Sequence, residues 1–314
     1  MLKLDDLKPF GRDLARPESV VIAADGSVYT AHRAAGVTRI DPDGTVTHIG
    51  QTPEIDGSVF VPNGIALLPG GDLLIANIGD SGGLWRLEQS GKLHPYCIRM
   101  DGRRMPPVNF VLVDAAGEVW FSVSTRHSPR HLAYRRDVAD GFIARIVDGI
   151  AHIEVDGLCY TNEFRFADNG ETLYVNETIG QSVRRFRRAE DGWDQGEVFA
   201  QLPSGSFADG LEIDTDGYLW VACIVANRLY RISPLGVPEL LLEEADADWL
   251  TEVELALRSG TMGRQHFDHN PSKRLRNISS IAFGGADGAT AYLGCLLADH
   301  LLTFRWPTGL ARPA

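Results

Sequence analysis

The sequence predicts an all-β fold, a six-bladed β-propeller with a central metal site, on three observations. A turn-and-strand motif recurs six times, a weaker hairpin follows each of the first five copies, and an oxygen-bearing side chain opens every copy. The motif is plainest in FADGLEIDTDGYLWVAC, Phe207 to Cys223, where alternating apolar residues flank a turn read at Asp216-Gly217. The other copies are ADGSVYTAH, PGGDLLIAN, AAGEVWFSV, DNGETLYVN and ADGATAYLG. Their turn glycines fall at Gly26, Gly71, Gly117, Gly170, Gly217 and Gly288. A repeat of this length made only of strands marks propeller blades.

The second hairpins are GVTRIDPDGTVTHI, GLWRLEQSGKLHPY, GFIARIVDGIAHIE, QSVRRFRRAEDGWDQGEVF and NRLYRISPLGVPELLL. Two hairpins per repeat give the four strands of a blade. The sixth copy ends in HLLTFRWPTGL without a clear fourth strand. The N-terminal segment, Leu4 to Arg12, is therefore expected to supply it and close the ring. The whole chain, 1–314, is read as one domain. A stretch at 242–277, before the sixth blade, is expected to carry a short helical insertion that serves as a lid.

Eight residues before the turn glycine stand Glu18, Asn63, Asn109, Asn162 and Asp209; in the sixth copy strand alternation chooses Ser279 over Ser280, one residue further back, with one extra residue in the turn. The innermost strands of a propeller line its channel, so equivalent positions form a ring. Two carboxylates converging there repel each other and lose hydration unless a cation neutralises them. Hard oxygen donors suit Ca²⁺ first, with Zn²⁺, Mn²⁺ or Mg²⁺ as weaker candidates. For Asn63 and Ser279, capping of strand ends is an equal reading.

A net charge of −12 argues against nucleic acid as a partner. No apolar run approaches a membrane span, and the start, MLKLDDLKPFGRDL, lacks the basic and apolar regions of a signal peptide. A cytoplasmic protein with a small-molecule substrate and no membrane partner is the expectation. The cysteines, at 97, 159, 223 and 295, lack metal-knuckle spacing and read as buried thiols.

Chain direction places two long loops on the ring's side of the propeller, Ser124 to Asp140 and Leu242 to Asn277. The first contains RHSPRHLAYRR, with Arg126, His127 and Arg130. The second opens with ADADWLTEVELALRSG, an amphipathic helix presenting Trp249, Leu250, Val253 and Leu257 on one face and stopping at Gly260. Basic tracts above an acidic ring suggest an anionic substrate held by Arg126 and Arg130, with solvated loop charge as the alternative.

The stretches RPES, VPNGIALLPGGDLLIAN, TNEFRFADNGETLYVNET and FADGLEIDTDGYLWVA together resemble the SMP-30/gluconolactonase/LRE-like family of six-bladed propellers. The resemblance implies one divalent metal held by Glu18, Asn162 and Asp209, with Asn109 beside both metal and substrate. Sugar-lactone members carry Arg-x-Asn-Asp around that third-blade Asn, whereas this chain reads Pro107-Val108-Asn109-Phe110. An acid found eighteen positions later is replaced by His127. The implied activity is a metal-dependent hydrolase opening a small lactone, slower on gluconolactone than on some other ester or lactone, with Asp209 or His127 as general base. The alternatives are a non-catalytic ligand-binding propeller with a structural Ca²⁺ and an organophosphate-type hydrolase.

Overall fold

In the computed structural model the chain forms a six-bladed β-propeller, mostly strand with few helices. It describes residues 2–307, so Met1 and the last residues of HLLTFRWPTGL lie outside the described part. Five sheets run in chain order from the channel outward, beginning with Val20–Ile22, Pro62–Leu67, Phe110–Val113, Thr161–Ala167 and Ser206–Ile213. The sixth begins with Ile278–Gly284, and its outermost strand is Lys8–Phe10, paired antiparallel with Leu301–Arg305.

The hairpin turns are wider than a two-residue D-G turn. Asp214 opens the one in the fifth blade, where its backbone N–H donates to the Tyr218 carbonyl and Gly217 N–H returns to its own carbonyl, both at 3.0 Å. Gly217 takes φ +78°, which a side chain would strain. The Asp214 carboxylate accepts the Trp220 indole N–H at 2.9 Å and Arg231 Nη2 at 2.7 Å. Asp114 accepts the Trp120 indole in the same way at 2.8 Å. One acid thus shapes the turn and satisfies a buried Trp, and this is why the aromatic sits at that place in the repeat.

Apolar faces of adjacent blades supply the core: Trp220, Leu229 and Leu241 of the fifth pack against Ile281, Leu293 and Phe304 of the sixth. The blades approach most closely near the channel. A Cβ on Gly64 would lie 2.6 Å from Phe110 Cα, and one on Gly210 2.5 Å from Ser280 Cα. The N-G and D-G pairs at 63–64 and 209–210 are therefore packing sites inside strands.

The insertion holds α1, Ala247–Ser259, capped by Asp246 and ended by left-handed Gly260, and a single turn, α2, Gln265–Asp268. Val253 and Leu257 are buried, as the apolar face of α1 requires. Glu254 of α1 accepts the Gln181 amide at 2.5 Å and the Gly205 N–H at 2.7 Å, and Arg136 of the first long loop donates to Gln181 Oε1 at 2.8 Å. Both long loops are thus tied to the fourth and fifth blades. Among the described residues no helix is long and apolar enough to cross a membrane.

Candidate metal centre in the channel

Four of the six ring positions sit where the innermost strands break register, while Glu18 and Asn109 lie just ahead of theirs. Bulges fall between Pro62 and Ile65, Thr161 and Phe164, Ala208 and Gly210, and Ile278 and Ser280. Each interval contains a ring residue: Asn63, Asn162, Asp209 or Ser279. A bulged residue leaves the ladder, which frees its side chain to be re-aimed.

The side-chain nitrogens of the ring are tied back to the scaffold. Asn63 Nδ2 donates to Glu18 Oε1 and to the Asn109 carbonyl, both at 2.8 Å. Asn109 Nδ2 donates to Ser124 Oγ and Asn162 Nδ2 to Thr178 Oγ1, each at 3.0 Å. Left without a partner are Glu18 Oε2, Asn109 Oδ1 and Asn162 Oδ1, all fully buried. Three orphaned oxygens from three blades, with the buried Asp209 carboxylate from a fourth, fit a hard cation and little else. Among the described residues no cluster of three or more His, Cys, Asp or Glu forms a metal site, so the donor set here rests on amide oxygens as much as on acids.

Electrostatics point the same way. Burial pushes the Glu18 carboxyl up to about 8, with Asp209 adding to the rise and Arg16 and the Asn63 hydrogen bond opposing it. Burial likewise pushes Asp209 up to about 8, with Glu163 adding to it. Asn63 and Ser279 are otherwise engaged. Asn63 Oδ1 accepts from Arg16 Nη2 at 2.8 Å, and Ser279 Oγ donates to the Glu18 carbonyl at 3.0 Å. They orient Glu18 from outside the oxygen set.

The loop residues are placed differently. Arg126 holds both Asp156 oxygens at 2.8 and 2.9 Å and lies over the Phe142 ring at 4.6 Å. His127 Nδ1 meets Asp140 at 2.9 Å on its own loop. Arg130 Nη1 donates to the Tyr160 hydroxyl at 3.4 Å. Two charged residues close to the ring escape the eight-residue offset. Arg16 stands two residues before Glu18 in RPES. Glu163 follows Asn162 and is buried, with its carboxylate 3.5 Å from Arg165 and accepting the Leu211 N–H at 3.0 Å. The adjacent acid in TNEF is the signal that would have found Glu163.

The family model described as the SMP-30/gluconolactonase/LRE-like region matches residues 58–241. Among solved structures, the chain is similar to a gluconolactonase from Xanthomonas campestris, with a TM-score of 0.68 and 19% identity over 94% of this chain and 88% of that one. It is similar to a luciferin-regenerating enzyme, at 0.68 and 13% over 96% and 95%. It is also similar to regucalcin, a calcium-binding protein from Agrobacterium tumefaciens, at 0.65 and 16% over 98% and 96%. At these identities the structures speak for the fold, while the sequence match carries the kinship: the chain belongs to the SMP-30/gluconolactonase/LRE-like family.

Proposed function

We propose that the protein is a divalent-metal-dependent hydrolase that opens a small lactone. The observation that carries this is the set of unpartnered buried oxygens, Glu18 Oε2, Asn109 Oδ1 and Asn162 Oδ1, at equivalent positions of three blades, with the Asp209 carboxylate buried at the same position of a fourth. These four residues would hold the cation, Ca²⁺ first. When bound, it would supply Lewis acidity toward a lactone carbonyl and charge balance for the two carboxylates. Membership of a family with gluconolactonases supports hydrolysis.

Asn63 keeps Glu18 Oε1 occupied, so that only Oε2 is offered. Asp209 is the group at hand to take a proton from attacking water, with His127, oriented by Asp140, as the second candidate. The first long loop and the insertion pack together around Tyr134, Tyr160 and Phe267. Turnover of a panel of lactones followed by pH-stat tests the reading. Saturable hydrolysis of at least one supports it, and binding without turnover by any would leave a ligand-binding propeller instead.

A further inference from the structure

The ring asparagines differ in the atom they leave without a partner. Thr178 follows the strand Thr172–Glu177 and is buried. Its backbone N–H donates to the Tyr160 carbonyl, two residues before Asn162, at 3.0 Å, and its side chain meets the Asn162 amide. The Thr178 hydroxyl has one proton, which it donates to the Ala208 carbonyl at 2.7 Å. Only lone pairs are then left for Asn162, so the amide turns Nδ2 to Thr178 at 3.0 Å and leaves Oδ1 unpartnered. Turned the other way, it would bury two oxygens against each other with no proton between them.

Ala208 opens the bulge that carries Asp209. Asn176, on the same strand end as Thr178, donates Nδ2 to the Asp209 carbonyl at 3.1 Å and to the Gly210 carbonyl at 3.0 Å. Three successive carbonyls of the bulge thus rest on side chains of the fourth blade, and the Asn162 amide joins them at the Thr178 hydroxyl.

The second blade supplies the contrast. Ile78 N–H donates to the Val61 carbonyl, two residues before Asn63, at 3.0 Å, so Ile78 stands where Thr178 stands. It offers no hydroxyl, and Asn63 spends Nδ2 on Glu18 and the Asn109 carbonyl and Oδ1 on Arg16. In the third blade Ser124 again takes the ring amide, Asn109 Nδ2, at 3.0 Å, and Asn109 Oδ1 is again unpartnered. Among the described residues, a ring amide oxygen is left open where a hydroxyl takes the amide nitrogen.

We propose that Thr178 is a positioning residue for the channel cation. Its hydroxyl fixes the sense of the Asn162 amide, so that oxygen rather than nitrogen is offered to the ring, and ties that amide to the bulge that carries Asp209. An amide oxygen can bind a hard cation and an amide N–H cannot, so this sense decides whether the fourth blade contributes a ligand. The inference rests on the reading of the ring as a metal centre, not on lactone chemistry.

The test measures Ca²⁺ binding by the chelator-stripped full chain, by calorimetry, in wild type, Thr178→Val and Thr178→Ser. Val keeps the branched shape without the hydroxyl and should weaken Kd on the order of 10- to 100-fold, the loss expected when the hydrogen-bond partner of a metal ligand is removed. Ser keeps the hydroxyl and should bind near wild type. In an Asn162→Asp background the carboxylate presents oxygen whichever way it turns, so Thr178→Val should there cost little. Val binding as wild type does, Ser binding as weakly as Val, or an equal loss in both backgrounds would overturn the proposal. Neutron diffraction from deuterated, metal-free wild type supplies an arm that needs neither ion nor variant. Two deuterons on the Asn162 atom that faces Thr178, with the Thr178 deuteron on the Ala208 carbonyl, support the fixed amide; if the same protein then binds no divalent ion, the metal reading fails while the amide assignment stands. An Asn162 oxygen facing Thr178 overturns it.

Discussion

Replacing Glu18 with glutamine should stabilise the metal-free protein and destroy its response to metal. The folded Glu18 carboxyl holds its proton up to about 8, against an ordinary 4.5, chiefly because it is buried. The folded state therefore binds more protons than the unfolded chain between these values. Stability is intact below pH 4.5 and falls as pH rises through about 8. At pH 7 the cost is about 3 kcal/mol, from roughly 2.5 units at ~1.36 kcal/mol each. Unfolding entropy of roughly 2.1 cal/mol/K per residue over 314 residues converts this to about 5 °C in Tm. Thermal melts of chelator-treated Glu18→Gln and wild type should coincide near pH 4.5 and separate by about that amount at pH 7, the variant being higher. With Ca²⁺ at about a thousand times its Kd, wild type should gain roughly 4 kcal/mol and the variant little, reversing the order. Equal melting temperatures across this pH range, or an equal gain from Ca²⁺, would refute the placement of Glu18 as a buried, cation-seeking carboxylate.

Asp214→Asn removes the charge that Arg231 and the Trp220 indole share and should cost about 2 to 4 kcal/mol in urea unfolding, with metal binding unaffected. Gly210→Ala drives a methyl against the Ser280 backbone and should lower Tm by several degrees. A variant that melts with wild type would show that the fifth and sixth blades can part at no cost. Because Pro107 and Phe110 flank Asn109 where sugar-lactone relatives carry Arg and Asp, glucono-δ-lactone should be hydrolysed more slowly than another lactone of the panel. Rapid, saturable gluconolactone turnover in the pH-stat would contradict that reading.

The repeat is legible in the sequence because each turn glycine is followed by an alternating strand, and that local chemistry survives in all six copies. The ring is legible through its offset from the turn, the same in five copies and one residue longer in the sixth, although the bulges that aim Asn162 and Asp209 are not, since they depend on pairing with the next strand. An offset finds only equivalent positions, so it passes over Arg16 and Glu163, which stand beside ring residues in RPES and TNEF. Ion pairing across a blade is hidden for a related reason. Arg126 looks like a free cation in RHSPRHLAYRR, but its partner, Asp156, comes thirty residues later from the far edge of the blade. Asp216 and Gly217 do lie in the turn, but its width is hidden from the sequence because Asp214, two residues earlier, does the hydrogen bonding.

The most direct measurement of the central claim is lactone turnover by chelator-stripped protein, titrated with Ca²⁺, Mn²⁺ or Zn²⁺, in wild type and in Asp209→Asn. The expected result is activity lost on stripping, restored at one equivalent of ion in wild type, and restored by none in Asp209→Asn. Turnover that survives stripping, or that Asp209→Asn retains, would contradict a hydrolase built on the ring of Glu18, Asn109, Asn162 and Asp209.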